Sequence, residues 1–236
     1  DGFVGLPGIF LITAFLTCLS MAVVYFYVPD PEPTSKRGED VPVKLKVILC
    51  NRDLLRLDFG IFSLHGILMA MFVSLPFILS GLEGGLISWQ FYLVVMVSSI
   101  LIMLPLMMVS EKFGHRKAIF LLSIMMIVAA ELLLGIFNFG QLGLGLALIL
   151  FFGAFNLLEA SLPSWVSRVA DSKSKGTALG VYSTGQYLGT FIGGVAGGWT
   201  YQHYSGQGVF IFCAVWALVW LFASAKMSDS GSRISQ

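Results

Sequence analysis

Charge is what this sequence has least of. Asp, Glu, Lys and Arg make up 11% of its 236 residues, against about 25% in an ordinary soluble domain. Hydrophobic residues make up 57%, and the mean hydropathy is +0.87. A soluble fold of this length could not cover so much apolar surface, so lipid must be the solvent for most of the chain. Cysteine is also scarce. Cys18 and Cys213 lie in apolar runs and Cys50 in a basic stretch, with no CxxC pair. That excludes a disulfide framework and a metal site, and no cofactor is expected. No Met opens the chain and no basic stretch precedes its first apolar run, so that run does not read as a signal peptide. The expectation is a fragment whose natural start lies upstream.

Basic residues are missing from particular places. The connections at 80–88, 138–142 and 201–208 hold no Lys or Arg. The fourteen basic residues fall instead in four clusters: six at 36–56, three at 112–117, three at 168–175, and Lys226 with Arg233. Cytoplasmic loops are rich in Lys and Arg while translocated loops are poor in them. A spanning helix needs about 20 apolar residues, and seven runs qualify: 6–28, 58–80, 87–109, 118–138, 143–166, 177–200 and 208–225. Together these predict an all-α, polytopic membrane helix bundle with residue 1 outside and the C-terminus cytoplasmic. The linker 29–57 begins with Pro29, Pro31 and Pro33, which cannot continue a helix. At 43–57 it turns amphipathic, with Val47, Leu54 and Leu55 among Lys46, Arg52 and Arg56. It reads either as a segment on the cytoplasmic surface or as a solvated tether.

Ionisable residues inside spans cost at least ~2.5–3.5 kcal/mol on insertion scales and are functional candidates by default. Glu159 leads. Asn156, Glu159 and Pro163 share one helix face, and Pro163 leaves a backbone carbonyl free nearby. Removal from water favours the neutral carboxyl, which suits reversible proton binding; the bland alternative is a structural Glu bonded to Asn156 or a carbonyl. His65 could carry protons or bind substrate, or simply be hydrogen-bonded within the bundle. Glu131, deep in its span, reads as a buried structural group with an interhelical bond. Asp58, near a span end, reads as a cap or a partner of Arg56. Gln186, Tyr182 and Tyr187 are further cavity candidates.

Two segments carry a family resemblance. Residues 111–117, Glu-Lys-Phe-Gly-His-Arg-Lys, form a very short loop in which Gly114 permits a tight reversal. Glu111, Lys112, Gly114, Arg116 and Lys117 resemble the loop motif G-x-x-x-D-[RK]-x-G-[RK]-[RK] of the major facilitator superfamily, with Met107 in place of the first glycine and His115 in place of a basic residue. Residues 151–199 contain Phe155-Asn156-Leu157-Leu158-Glu159-Ala160-Ser161-Leu162-Pro163-Ser164 and the glycines Gly176/Gly180, Gly185/Gly189/Gly193/Gly197 and Gly194/Gly198. This stretch resembles helices ten and eleven of drug:proton-antiporter-type members. Independently of that likeness, glycines at four-residue spacing let another backbone approach closely.

The resemblance implies that the spans correspond to helices six to twelve of a facilitator. Residues 1–28 would be the last helix of an N-terminal half, 29–57 the cytoplasmic linker, 58–225 the C-terminal six-helix half and 226–236 a cytoplasmic tail. About five helices would be missing, because such transporters have two six-helix halves with the substrate site between them. The implied function is secondary active transport by alternating access, with protons exchanged for a small-molecule substrate. Aromatic and Met-rich walls are compatible with an amphipathic solute. The implied partners are protons, the lipid bilayer and the missing N-terminal half, with no nucleic acid, and the implied place is a bacterial inner membrane. An intramembrane enzyme needs convergent groups, and His65, His115 and His203 fall in the membrane, inside and outside. A seven-helix receptor or scaffold is permitted by the span count but disfavoured by the basic reversal and the glycine-rich helix.

Overall fold

The computed structural model describes residues 5–29, 45–81, 88–137, 140–172 and 174–225. Most of the linker (30–44), the tail (226–236) and parts of two charge-poor connections (82–87 and 138–139) lie outside these. Among the described residues all regular structure is helical: α1 Gly5–Tyr27, α2 Leu45–Leu49, α3 Arg52–Ser80, α4 Ser88–Lys112, α5 Arg116–Ile136, α6 Gln141–Val169 and α7 Lys175–Ala225. The chain divides into two units, Asp1–Val41 and Pro42–Gln236.

The first unit contributes α1. Its 23 residues extend about 35 Å at 1.5 Å each, enough to span a bilayer. Its hydroxyls bond back within the helix, Thr13 Oγ1 to the Ile9 carbonyl at 3.0 Å and Thr17 Oγ1 to the Thr13 carbonyl at 2.8 Å. No polar side chain among these needs a partner from outside the helix.

In the second unit α3 is the axis of packing. It starts at Arg52, six residues before the sequence places its span, because Asn51 caps it. The Asn51 side-chain Oδ1 accepts from Asp53 N at 3.0 Å and Leu54 N at 3.3 Å, filling orphan donors of the first turn. The segment 43–57 is therefore divided at Cys50 and Asn51 between α2 and the first turns of α3, and Leu54 lies in the core. One stripe of α3 carries Leu54, Leu57, Ile61, Leu64, Ile67, Met71 and Leu75, all buried. Another carries Gly60, Ser63, Gly66, Ala70 and Ser74. Lipid tails are as apolar as Leu, so close packing rather than water exclusion must hold such helices together. The small stripe provides it.

α7 supplies the other side. Its 51 residues would extend about 76 Å as one helix, more than twice the hydrocarbon core. It breaks at Ser205, whose φ of 65° and ψ of −176° are not helical. The first arm (175–204) runs parallel to α3: Gly185 faces the backbone of Asp58, Gly189 that of Phe62, Gly193 that of Gly66 and Gly197 that of Ala70. The second arm (206–225) runs back. Gly206 lies against Ile78, Cys213 Sγ donates to the Ile67 carbonyl at 3.7 Å, Trp216 Nε1 donates to Ser63 Oγ at 3.2 Å, and Trp220 covers Gly60. The chain therefore crosses twice here. Six helices are long and apolar enough to span, and the reversal makes seven crossings. The glycines divide by face. Gly176, Gly180, Gly194 and Gly198 meet nothing within 4 Å, so only the Gly185–Gly197 row forms the seam.

α4 and α6 pack through small residues too. A Cβ on Gly153 would stand 2.9 Å from Ile102 Cγ2, and one on Gly145 would stand 3.3 Å from Phe91. α5 closes the bundle against α6 and the second arm of α7, where Phe120 stacks on Trp165 at 5.1 Å and meets Trp220 edge-on at 6.2 Å.

Candidate functional site

Three helices meet around one polar cluster. His65 belongs to α3, Glu159 to α6 and Gln186 to the first arm of α7. The Gln186 amide nitrogen stands 2.9 Å from His65 Nε2 and 3.3 Å from Glu159 Oε1. His65 Nε2 lies 3.8 Å from Glu159 Oε2. The register follows from the seam: Gly185 and Gly189 press on α3 at Asp58 and Phe62, which brings Gln186 beside the middle of that helix. Phe155 meets the His65 ring edge-on at 5.7 Å and walls the cluster on one side. Pro163, inside α6, lacks the N–H that would bond the Glu159 carbonyl one turn back.

The donor count fixes the chemistry. An amide NH₂ has two hydrogens and accepts nothing. Facing both partners, it gives one hydrogen to His65 Nε2 and one to Glu159. With the amide turned this way, His65 accepts at Nε2 as the tautomer protonated on Nδ1. Glu159 accepts through Oε1. Protonating His65 at Nε2 would turn that nitrogen into a donor, displace the amide and bring imidazolium and carboxylate face to face. One proton thus changes partners across three helices. The side chain of Glu159 is 38% exposed and that of His65 14%, so the carboxylate is the member that meets the open side of the cluster.

Other candidates are placed elsewhere. Asn156 donates to Ser99 Oγ on α4 at 3.1 Å and ties α6 to α4 instead of pairing with Glu159. Tyr182, one turn before Gln186, is buried, and its hydroxyl has no partner among the described residues. Tyr187 is exposed. Glu131 is completely buried on α5 as expected, but the interhelical bond expected for it does not form: neither carboxyl oxygen has a hydrogen-bond partner among the described residues. The expected pairing of Asp58 with Arg56 does not form. Arg56 Nη1 bonds Asp53 Oδ1 at 3.2 Å, Asn51 is the cap, and Asp58 Oδ1 is buried without a hydrogen-bond partner among the described residues. Asp58 is the polar group that sequence reasoning undervalued. Its signal was available: residues two apart on a helix do not face each other, whereas residues three apart do.

A second polar group lies at the ends of α4, α5 and α6. Gly114 turns the chain with a φ of 71°. Arg116 Nη2 bonds Glu111 Oε2 at 2.9 Å, and Arg168 Nη2 stands 4.0 Å from the same oxygen. One carboxylate therefore ties together three helix ends. The histidines are dispersed: His65 in α3, His115 before α5, and His203 near the end of the first α7 arm.

Six crossings in the second unit, held by a glycine seam and joined at one place by a basic reversal, define an integral membrane helix bundle. The chain belongs to the Major Facilitator Superfamily, whose model matches residues 79–231. It is 38% identical over 232 residues to the inner membrane transport protein YajR of Escherichia coli K12, covering 95% of this chain and 50% of that protein. Uncharacterized transporters of Buchnera aphidicola are also similar. One from subspecies Acyrthosiphon pisum is 31% identical over 194 residues, 80% of this chain and 50% of its own length. Another from subspecies Baizongia pistaciae is 26% identical over 230 residues, 93% of this chain and 57% of its own. The chain thus spans about half the length of the curated relatives it matches.

Proposed function

We propose that this chain forms one half of a secondary active transporter that exports small solutes in exchange for protons by alternating access. The observation that carries the proposal is the Glu159–Gln186–His65 link. It joins an acid, a base and an amide between them on three separate helices. Proton uptake at Glu159 or His65 changes which helices are tied together, and that is what coupling requires: a ligand shifts a conformational equilibrium only by interacting differently with its two states. Family membership supports transport, and the relative named as an inner membrane transport protein supports an inner membrane location. The clustering of Lys and Arg supports a cytoplasmic C-terminus. The substrate would sit near the midplane, between this half and its partner half, where Glu159 is open. The apolar surroundings of the cluster suit an amphipathic solute.

The test uses the full-length protein in proteoliposomes, with uptake of a fluorescent lipophilic dye such as ethidium driven by an imposed pH gradient. Glu159→Gln keeps the shape of the side chain and the hydrogen bond to Gln186 but cannot release a proton. It should abolish gradient-driven flux while dye exchange without a gradient persists. Gradient-driven flux equal to wild type would reject Glu159 as the coupling group.

A further inference from the structure

Asp58 takes no part in the link above, yet its surroundings connect it to that link. We propose that protons reach Glu159 from the α2 end of the bundle along the α3–α7 seam, by way of Asp58 and the Tyr182 hydroxyl. The inference rests on the reading of Glu159 as the coupling carboxyl and adds the route by which it is loaded and emptied.

Three buried oxygens on three helices accept or donate no hydrogen bond among the described residues: Asp58 Oδ1, Tyr182 Oη and Glu159 Oε2. Each would cost about 1–3 kcal/mol if nothing bonded it, and such groups in folded proteins are matched by water or ions. Their order along the seam is fixed by the backbone. Gly185 seats against the Asp58 carbonyl, where a Cβ would stand 3.3 Å away. Tyr182 lies one turn from both Gly185 and Gln186. Its hydroxyl is within electrostatic reach of both carboxyls, Glu159 and Asp58. Asp58 and His65 are seven residues apart, so the path covers about 10 Å along α3. Past Asp58 the seam opens into a groove of ≈ 610 Å³ between α2, α3 and α7, walled by Leu45, Leu49, Thr177, Gly180 and Thr184 with Asp58 itself. The acid is therefore the polar group where the groove meets the seam.

The charged and titratable groups around Asp58 are accounted for. From α7 the Tyr182 hydroxyl lies within electrostatic reach of it. On its own helix Arg56 is committed to Asp53, and the α2 residues lining the groove are Leu45 and Leu49. Among the described residues no cation pairs with the Asp58 carboxylate, which leaves it able to exchange a proton. In one passage Asp58 takes a proton from water in the groove. It passes that proton to the Tyr182 oxygen while the Tyr182 O–H proton moves on to Glu159. One proton is carried, and tyrosine ends as it began.

Infrared difference spectroscopy on the full-length transporter after a pH jump tests this without a transported solute. The carboxyl band lost in Glu159→Gln reports Glu159. Asp58→Asn and, separately, Tyr182→Phe should each slow the appearance of that band by at least about tenfold while leaving its final amplitude intact. Wild-type rates in both variants would overturn the path and leave the coupling role of Glu159 standing. If Glu159→Gln removed no band at all, Glu159 would not titrate, and both the path and the coupling reading would fall.

Discussion

Gly193 of α7 rests directly on Gly66 of α3. A Cβ built on Gly193 would fall on the Gly66 carbonyl oxygen, and one built on Gly66 would enter the Trp216 ring of the returning arm. Three backbone segments therefore meet at one level with no side chain between two of them.

Substitution along this seam should depend on face more than on size. Gly193→Ala must push α3 and α7 apart, and overpacking of this kind costs about 1–3 kcal/mol. Gly189→Leu should prevent assembly, because its first side-chain carbon already meets the Phe62 backbone. Gly194→Ala, one residue along, meets nothing within 4 Å and should leave this unit's stability unchanged. Thermal unfolding of the purified protein in detergent compares the three. Equal losses at Gly193 and Gly194 would show that the seam is not where stability resides.

Ser205 holds the turn between the two arms at a φ of 65°, where a Cβ is strained by roughly 1–3 kcal/mol. Ser205→Gly removes the Cβ at the one non-glycine residue, among the described residues, whose backbone conformation favours glycine. The unfolding midpoint should rise. A fall would mean that the serine hydroxyl contributes more at the turn than its backbone costs.

The fold was legible in the sequence because lipid imposes one requirement on every span, about 20 apolar residues with internal hydrogen bonding. The charge-poor connection at 201–208 likewise announced the reversal that continuous helical hydrogen bonding partly hides. The site was legible only in part. Glu159 and His65 stand out because an ionisable side chain in a span is costly. Helical spacing says which residues share a face, however, and not which helix lies opposite. Asn156 and Glu159 share a face of α6, yet one bonds α4 and the other α7. Asp58 was misread for a related reason, since nearness in sequence to Arg56 is not nearness on a helix surface.

The hydrogen bond from Trp216 to Ser63 joins the second arm of α7 to α3 inside the bundle. Such bonds in membranes contribute roughly 0.6 kcal/mol on average. Ser63→Ala and Trp216→Phe should each destabilise modestly, and the double variant should lose less than the sum. A double-mutant cycle on unfolding free energies measures the coupling; strict additivity would show that the bond contributes nothing.

Glu111 offers a contrast. Its pair with Arg116 is partly exposed, with relative exposures of 51% and 27%, so it should add at most about 1 kcal/mol to stability. Its position joining the ends of α4, α5 and α6 suggests an effect on conformation instead. Glu111→Gln should leave the unfolding midpoint nearly unchanged and alter the balance between inward-open and outward-open states of the full-length protein. Double electron–electron resonance between labels on the two halves reads that balance. Unaltered distance distributions would reduce the pair to an incidental surface contact.

Orientation can be tested with a native cysteine. Cys50 is exposed and Cys213 is buried, while Cys18 lies within the apolar helix α1. In a background in which Cys18, Cys213 and every other cysteine of the full-length protein are replaced by Ser, a membrane-impermeant maleimide can report on Cys50 alone. The basic clusters put Cys50 on the cytoplasmic side, so intact spheroplasts should stay unlabelled while inside-out vesicles are labelled at once. Labelling in intact spheroplasts would reverse the topology. It would place the α2 groove on the outer face and make the path through Asp58 an outward-facing one.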